Sequence, residues 1–363
     1  MARKLSSDKI LFAATVALVL VGIVMVFSAS AEMANEKFHT PYYFLLRQAL
    51  WAMLGLIGMS VLMHIDYRHY RKPLLVFGGL FMCALLLLSV FFLDKNHNTH
   101  RWFKLGFVSF QPSELTKIAL VIFVAYFLEK RAGQVNDLRL TLAPLGTVLV
   151  VFVGLVFLEP DLGTAAAIVM VALILLWVAG LSWKYVGGLV LVAVPALFCS
   201  IYFFAYRSRR LGVFWDPWRD RLGAGFQIIQ SLIAVGSGGL FGVGLMDGKQ
   251  KLFYLPEPHT DFIYAVLGEE FGLVGSILLL ALFLVFLWRG LRISLRASDS
   301  FGKYLGIGLS MMVVCQAFIN MSVVLSLLPT KGIPLPFISY GGSSLLISLL
   351  GVGVLLNVSQ HSN

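Results

Sequence analysis

Long uninterrupted apolar runs alternate with short polar stretches along this chain. Each run has about the 20 residues that one helix needs to cross a bilayer. The apolar residues are continuous rather than alternating, which indicates helices and not barrel strands. We therefore predict an all-α polytopic membrane protein with about ten transmembrane helices, in which 1–363 form a single integral membrane domain. The predicted spans are 10–29, 44–63, 74–93, 112–128, 141–158, 162–180, 184–206, 262–288, 303–327 and 338–357.

Composition supports this prediction and affects how the net positive charge is interpreted. Of the 363 residues, 59% are hydrophobic and 13% are charged, and the mean hydropathy is +0.88. The formal net charge of +10 is better explained by lysines and arginines that orient membrane helices and meet anionic membrane lipids than by nucleic acid binding. All three cysteines, Cys83, Cys199 and Cys315, lie in apolar runs and are interpreted as buried residues, not as disulfides or metal ligands.

Basic residues predict the orientation of the helices. They cluster before helix one and after helices two, four, six and eight, which the positive-inside rule makes cytoplasmic. An even number of spans then puts both termini in the cytoplasm. The first run ends in the small residues Ser28 to Ala31, like a signal peptide, but its length favours a retained anchor.

One segment departs from this charge pattern. The long loop at 207–260, between helices seven and eight, is outward by this topology yet basic, with Arg207, Arg209, Arg210 and Arg219 among its cations. Such a loop is either merely solvated or has an anionic partner. Its apolar stretch 226–235 predicts re-entrant or interfacial helical pieces.

Ionisable groups beside a membrane core are expensive and mark candidate sites. Glu114 and Lys117, three residues apart near the start of helix four, can pair on one face as a structural pair or line a polar cavity. In the short turn of Glu159, Pro160 and Asp161, Asp161 either caps helix six or faces a substrate.

The approach to helix eight carries His259, Asp261, Glu269 and Glu270. Thr260 or Asp261 could be a helix N-cap, and Asp261 could equally be catalytic. The last outward loop, 328–344, has three prolines, the cation Lys331, which could meet a phosphate, and small residues at 341–344 that favour close packing. The motifs of classical nucleotide sites do not occur, so we expect no nucleotide cofactor.

Four motifs resemble the SEDS family of shape, elongation, division and sporulation proteins, and the resemblance extends over the whole chain. They are FQPSELTK at 110–117, EPDLGT at 159–164, LPEPHTDFIYAVLGEEFGLVG at 255–275 and LPTKGIPLPFISYGGSS at 328–344. Thr330–Gly332 and Gly268–Glu270 are most like the division-type members, and the rod-shape and sporulation members are close relatives. One departure is Pro258, where alanine is common.

The resemblance implies a peptidoglycan glycosyltransferase in the bacterial cytoplasmic (inner) membrane, at the division septum. Its substrates would be lipid II and glycan linked to undecaprenyl pyrophosphate. Its partners would be a class B penicillin-binding protein, which is a transpeptidase, and other division proteins. Asp261 matches the family's essential aspartate, and Glu114, Lys117 and Asp161 match its polar-cavity residues. We add His259 and Lys331 to that cavity.

An inverting displacement at the anomeric carbon needs a general base, for which Asp261 is the candidate. The leaving pyrophosphate needs positive charge. That charge could come from Arg207, Arg209, Arg210, Arg219, Lys331 or a bound Mg²⁺ or Mn²⁺ ion. A rod-shape elongation polymerase, a lipid II flippase and a scaffold without activity are the alternatives. Acidic and basic groups concentrated on one face argue against the last two.

Overall fold

The protein is a bundle of long α-helices. The computed structural model describes residues 7–93, 101–105, 108–188, 191, 212–223, 225–330 and 332–361. The α-helices with defined bounds in these parts are α1 (Lys9–Phe38), α2 (Tyr43–Leu62), α3 (Pro73–Leu93), α4 (Pro112–Lys130), α5 (Ala143–Leu158), α6 (Leu162–Val178), α7 (Phe226–Ser237), α8 (Ile263–Leu295), α9 (Ser300–Val324) and α10 (Gly342–Gln360).

Nine of the predicted spans coincide with α1–α6 and α8–α10. Seven described helices are long and apolar enough to cross a membrane by length and composition. The helices α4 and α6 fall short because α4 carries four charged residues and α6 has only 17 residues. The seventh predicted span, 184–206, lies largely outside the described residues. The membrane fold is confirmed, and the count of ten spans stays a prediction.

Two helix boundaries differ from the predicted ones. Helix α1 continues to Phe38, and Ser28 to Ala31 are buried inside it, which agrees with a retained anchor. Helix α10 begins at Gly342 and not at 338, because the prolines at 334 and 336 and the positive φ of 65° at Phe337 keep the preceding backbone out of a helix.

The two ends of the described chain meet at one end of the bundle. The Asp8 backbone N–H donates to Ser359 Oγ at 3.1 Å, and the Asp8 carboxylate pairs with Arg289. Arg68 pairs with Asp299 at the start of α9, with 3.3 Å between Nε and Oδ2. This end therefore carries basic loops, as predicted for the cytoplasmic side.

Helices α9 and α10 form the centre of the bundle. Nearly every residue of α10 is buried, and its Gly353 lies against the backbone of Met59 in α2. A small residue at this position lets the two helices approach closely. Cys83 and Cys315 are free cysteines with buried or half-buried side chains, as predicted, and Cys199 lies outside the described residues.

Two segments that were predicted to face outward have structure of their own. An antiparallel hairpin pairs Phe103–Leu105 with Val108–Phe110, which the all-α prediction did not include. Helix α7 confirms the predicted helical piece. The chain after α7 packs into a kink of α8 at Gly272, whose φ is +64°. There the Leu273 N–H donates to Gly239 O at 2.9 Å.

Candidate functional site

The segment that carries Asp261 is fastened to the loop before α10. The His259 carbonyl accepts from the Tyr340 N–H at 2.9 Å. The Thr260 carbonyl accepts from Ser339 Oγ at 2.6 Å. These bonds fix the backbone on the N-terminal side of Asp261, so the aspartate lies on a rigid support.

Asp261 is not the N-cap of α8. Phe262 occupies that position and makes no side-chain cap hydrogen bond, so the capping explanation of Asp261 is wrong. The Asp261 side chain is half-buried and lies beside Gly332, where an added Cβ would come within 2.8 Å of Oδ2. The Asp261 carbonyl accepts from Asn320 Nδ2 at 2.8 Å. The carboxylate thus lies under the loop that contains Lys331.

Glu114 and Lys117 form a buried ion pair with 2.9 Å between Oε2 and Nζ. Lys117 also donates to Gln316 Oε1 at 2.6 Å, and Gln316 Nε2 donates to Pro334 O at 2.9 Å. The pair is therefore connected to the same loop, 332–334, that covers Asp261. The pair is therefore an internal structural pair, and its place in a polar substrate cavity stays a prediction.

Asp161 is the N-cap of α6. Its Oδ1 accepts from the Thr164 N–H at 3.1 Å, and its Oδ2 accepts from Gln111 Nε2 at 2.9 Å and from Thr164 Oγ1 at 2.8 Å. The capping interpretation of Asp161 is confirmed. Gly163 in the same turn packs on Ile333, so this turn also borders the loop over Asp261.

Glu159 is a titratable group that the sequence did not single out by itself. Its side chain is fully buried, and neither carboxylate oxygen has a hydrogen-bond partner among the described residues. Burial raises the pKa of Glu159 to about 8, and the nearby Asp161 charge adds to this while Arg101 opposes it. Arg101 holds the turn from outside by donating to Glu159 O at 2.8 Å and to Pro160 O.

His259 belongs to an aromatic cluster. Its ring lies 4.6 Å from Phe44 and 5.6 Å from Tyr340, between ring centroids. Burial, with a contribution from Lys37, lowers the pKa of His259 to about 4. The ring is therefore neutral at pH 7 and offers no positive charge to a phosphate. Its place in a substrate cavity stays a prediction.

The proposed pyrophosphate ligands are only partly described. Arg207, Arg209, Arg210 and Lys331 lie outside the described residues. Arg219 is exposed in the 3₁₀ helix Pro217–Asp220. Their role as cations for a leaving group stays a prediction.

Glu269 and Glu270 hold the 249–251 part of the loop before α8. Glu269 accepts from the backbone N–H groups of Lys249 at 2.8 Å and Gln250 at 3.2 Å. Glu270 pairs with Lys251 at 2.6 Å, and both side chains bond Ser28 Oγ of α1. The sequence offered no signal for this triad of Ser28, Lys251 and Glu270, because its members come from three distant segments.

The described residues do not form a metal site built by the protein alone. Among them, no group of three His, Cys, Asp or Glu side chains could hold an ion. The oxygens of Asp161 accept protein hydrogen bonds, and Glu114 is paired with Lys117. These carboxylates do not fit a Mg²⁺ or Mn²⁺ ion as they stand.

A sequence profile described as "Cell cycle protein", for the FtsW, RodA and SpoVE proteins, matches residues 8–363. The chain belongs to this family. The SEDS resemblance of the four motifs is therefore confirmed, and all four lie in the matched region of this family member.

Similar members of the family support the division branch. A "Probable peptidoglycan glycosyltransferase FtsW" of Geobacter sp. (strain M18) is 47% identical over 355 residues, which cover 98% of this chain and 97% of that protein. "Stage V sporulation protein E" of Bacillus subtilis (strain 168) is 42% identical over 363 residues, which cover 99% of both proteins.

Solved structures share the fold. A chain from a peptidoglycan synthase complex that coordinates polymerization and crosslinking superposes with a TM-score of 0.81 at 31% identity, over 98% of both chains. The rod shape determining protein RodA of Thermus thermophilus has a TM-score of 0.72 at 28% identity, over 98% of this chain and 97% of that one.

Proposed function

We propose that this protein polymerises lipid II into glycan strands of the septal peptidoglycan, as a glycosyltransferase of the inner membrane. The observation that carries the proposal is the position of Asp261, which is held by Asn320 and the 332–334 loop beside the buried pair of Glu114 and Lys117. Relatives that are 47% and 45% identical to this chain are named probable peptidoglycan glycosyltransferases. Because these relatives carry the name of the division-type member, FtsW, we assign the protein to septal synthesis.

Asp261 acts as the general base in this proposal. A sugar hydroxyl attacks the anomeric carbon, its proton passes to the Asp261 carboxylate, and the bond to the diphosphate breaks with inversion. General base catalysis is typically worth roughly 10²–10⁴-fold. The rigid backbone around Asp261 supports this role, because a base must be held within hydrogen-bond reach of the proton it accepts.

Two charged groups have supporting roles. Lys117 has its positive charge balanced by Glu114 and its amine held by Gln316, so it keeps the 332–334 loop in place through the Gln316 bond to Pro334. Cations of the 207–260 loop, such as Arg219, and Lys331 of the 328–344 loop would then receive the leaving diphosphate. A class B transpeptidase would use the strands as they form, in agreement with the synthase complex that shares the fold.

The decisive experiment compares Asp261→Asn with the unchanged protein, each purified and incubated with lipid II with and without its transpeptidase partner. We expect the variant to insert and bind its partner but to lose at least about 100-fold in polymerisation, measured as glycan strands on a gel. Cys83→Ala, a free buried cysteine in α3, is the control and should keep polymerising.

Normal polymer from Asp261→Asn would refute the catalytic role of Asp261. Transfer of lipid II across liposome membranes by the unchanged protein, without polymer, would favour a flippase. Complementation of a deletion by Asp261→Asn would favour a scaffold.

A further inference from the structure

The first turn of α10 presents hydrogen-bond donors that have no acceptor in the described parts of the chain. Its N-cap, Gly341, makes no side-chain cap bond. The backbone N–H groups of Gly342, Ser343 and Ser344 precede the first helical bond, which runs from Leu345 to Gly341 O. Such groups and the positive end of the helix dipole favour an anion.

Two side chains of the same turn are independent evidence for a missing ligand. Ser343 is 0% exposed and Ser344 is 7% exposed, and neither hydroxyl has a hydrogen-bond partner among the described residues. The Cα–Cβ bonds of helical residues tilt toward the N-terminus, so both serine side chains lean toward the start of α10. Buried hydroxyls without a partner are uncommon, and a ligand that accepts their protons would remove the deficit.

The turn is open at Gly341. Gly341 is half-buried, and a Cβ added to it would meet only the Ser344 side chain, at 3.8 Å. Trp51 of α2 brings its indole nitrogen, a further donor, against the neighbouring Gly342. A small group can therefore approach the turn past Gly341 and find donors around it.

A cation lies beside this turn. The Arg47 side chain lies near the Tyr340 hydroxyl, and its guanidinium lies 4.4 Å from the centroid of the Tyr43 ring. Within the described chain, Arg47 forms no ion pair with a carboxylate. An arginine whose charge is not paired with a carboxylate is well suited to bind a phosphate.

The same turn is connected to the segment of Asp261. Tyr340 and Ser339, which immediately precede Gly341, make the bonds to His259 and Thr260 described above. An anion at the first turn of α10 would therefore lie on the outward side of the protein, next to the candidate general base.

We propose that the first turn of α10, with Ser343, Ser344 and Arg47, binds the diphosphate of a polyprenyl carrier. The proposal rests on the proposed function, because that function brings such a carrier to this face. A phospholipid headgroup has the same phosphate chemistry but one phosphate fewer to match the several donors. Packing explained the small residues at 341–344 in the sequence, but it leaves the two serine hydroxyls without a partner in the described parts of the chain.

The test measures binding of undecaprenyl diphosphate to the full-length protein in phosphatidylcholine nanodiscs. We expect Ser343→Ala/Ser344→Ala and, separately, Arg47→Gln to weaken binding by about tenfold or more, as for lost hydrogen bonds to a charged group. Ser348→Ala, a buried serine further along α10, is the matched control and should bind normally. Elution as a single species and an unchanged thermal midpoint show that each variant is folded.

Kinetics add a readout that a purely structural role would not give. The KM for lipid II should rise about tenfold in Arg47→Gln while kcat is largely kept, because the diphosphate of the accepting lipid II stays intact and is bound equally in the ground and transition states. Asp261→Asn should instead lower kcat. Competition by inorganic pyrophosphate against undecaprenyl diphosphate would support diphosphate recognition.

Unchanged binding in both folded variants would overturn the proposal. Equal displacement of undecaprenyl diphosphate by phosphatidylglycerol would overturn the assignment to the polyprenyl carrier in favour of a lipid headgroup. The proposed function has a separate failure, in which the unchanged protein makes no glycan from lipid II but still binds undecaprenyl diphosphate through Ser343, Ser344 and Arg47.

Discussion

Individual residues around the site illustrate how one residue type takes different roles. Asp161 and Asp261 both precede a helix in the sequence, and either could have been an N-cap. Asp161 is a cap with three hydrogen bonds, whereas Asp261 lies one residue before the N-cap of its helix. The difference comes from Phe262, whose backbone takes the cap position and leaves the Asp261 side chain beside Gly332.

Glu159 predicts a pH dependence at the scale of one residue. Its folded pKa of about 8 is above the ordinary value of 4.5, so folding favours the protonated acid. The stabilisation is complete below about pH 4.5 and is lost as the pH rises to 8, with a total on the order of a few kcal/mol. We expect Glu159→Gln to raise the thermal midpoint at pH 8 and to flatten its pH dependence.

Thermal unfolding in detergent between pH 5 and pH 8.5 measures this effect. Glu36→Gln, at an exposed position near the end of α1, is the control and should leave the pH profile unchanged. A Glu159→Gln profile as steep as that of the unchanged protein would show that Glu159 does not set it.

At the scale of elements, the triad of Ser28, Lys251 and Glu270 joins α1, the outward segment and α8. Lys251→Met would leave the Glu270 carboxylate buried without its counterion, which typically costs about 3–5 kcal/mol. The double variant Lys251→Met/Glu270→Gln removes both charges and should recover most of that loss. Thermal midpoints of the two variants measure the difference.

The partly exposed pair of Arg71 and Glu129 is the matched control for the triad. Arg71→Gln should cost less than about 1 kcal/mol, because solvent screens such pairs. Equal changes in thermal midpoint for Arg71→Gln and Lys251→Met would mean that the buried pair of Lys251 and Glu270 does not hold the 207–260 loop in place.

Close helix packing gives a second prediction at this scale. Gly22 of α1 lies against the backbone of Phe337 and Ile338, and an added Cβ would come within 2.8 Å of Ile338 Cα. Because backbone cannot move as a side chain can, we expect Gly22→Ala to destabilise the protein by about 1–3 kcal/mol. Gly78→Ala in α3, where a Cβ meets nothing within 4 Å, should be neutral or stabilising by up to about 1 kcal/mol.

Thermal midpoints and polymerisation assays on the two glycine variants distinguish packing from helix propensity. If the thermal midpoints of Gly22→Ala and Gly78→Ala change by similar amounts in the same direction, helix propensity, rather than contact with the 337–338 backbone, decides the effect. Loss of activity with Gly22→Ala alone would show that this contact also positions the loop before α10.

At the scale of the whole molecule, the two described ends lie side by side, at Asp8 and Ser359. The basic loops at the same end favour a cytoplasmic location for it. We therefore predict that a cysteine introduced as Glu36→Cys reacts with a membrane-impermeant thiol reagent in intact spheroplasts. Lys72→Cys, in a basic loop at the predicted cytoplasmic end of the bundle, should react only after permeabilisation.

Both cysteine variants belong in a background without the native cysteines Cys83, Cys199 and Cys315. Labelling of Lys72→Cys in intact spheroplasts, with protection of Glu36→Cys, would mean that the orientation is inverted. The site of Asp261 would then lie in the cytoplasm, and the proposed function would lose its topological basis.

The sequence alone determined the membrane fold, most of the helices and the segments that carry the site, because apolar runs and long motifs are local signals. It identified Asp261, Asp161 and the pair of Glu114 and Lys117 as candidates, but it left their capping and cavity interpretations open. A hydrogen bond to a cap or a loop depends on backbone angles of a few residues, and residue types do not encode those uniquely.

Only the tertiary structure decided which distant residues meet. It placed Gln316 and Asn320 between the buried ion pair and Asp261, and it joined Ser28 to Lys251 and Glu270. It also left the hydroxyls of Ser343 and Ser344 without partners among the residues that the structure describes. Contacts of this kind depend on how helices pack, and no periodicity along the chain records them. Helix packing also gave Glu159 its raised pKa, since complete burial of the carboxyl group is a property of its surroundings and not of the Glu-Pro-Asp motif.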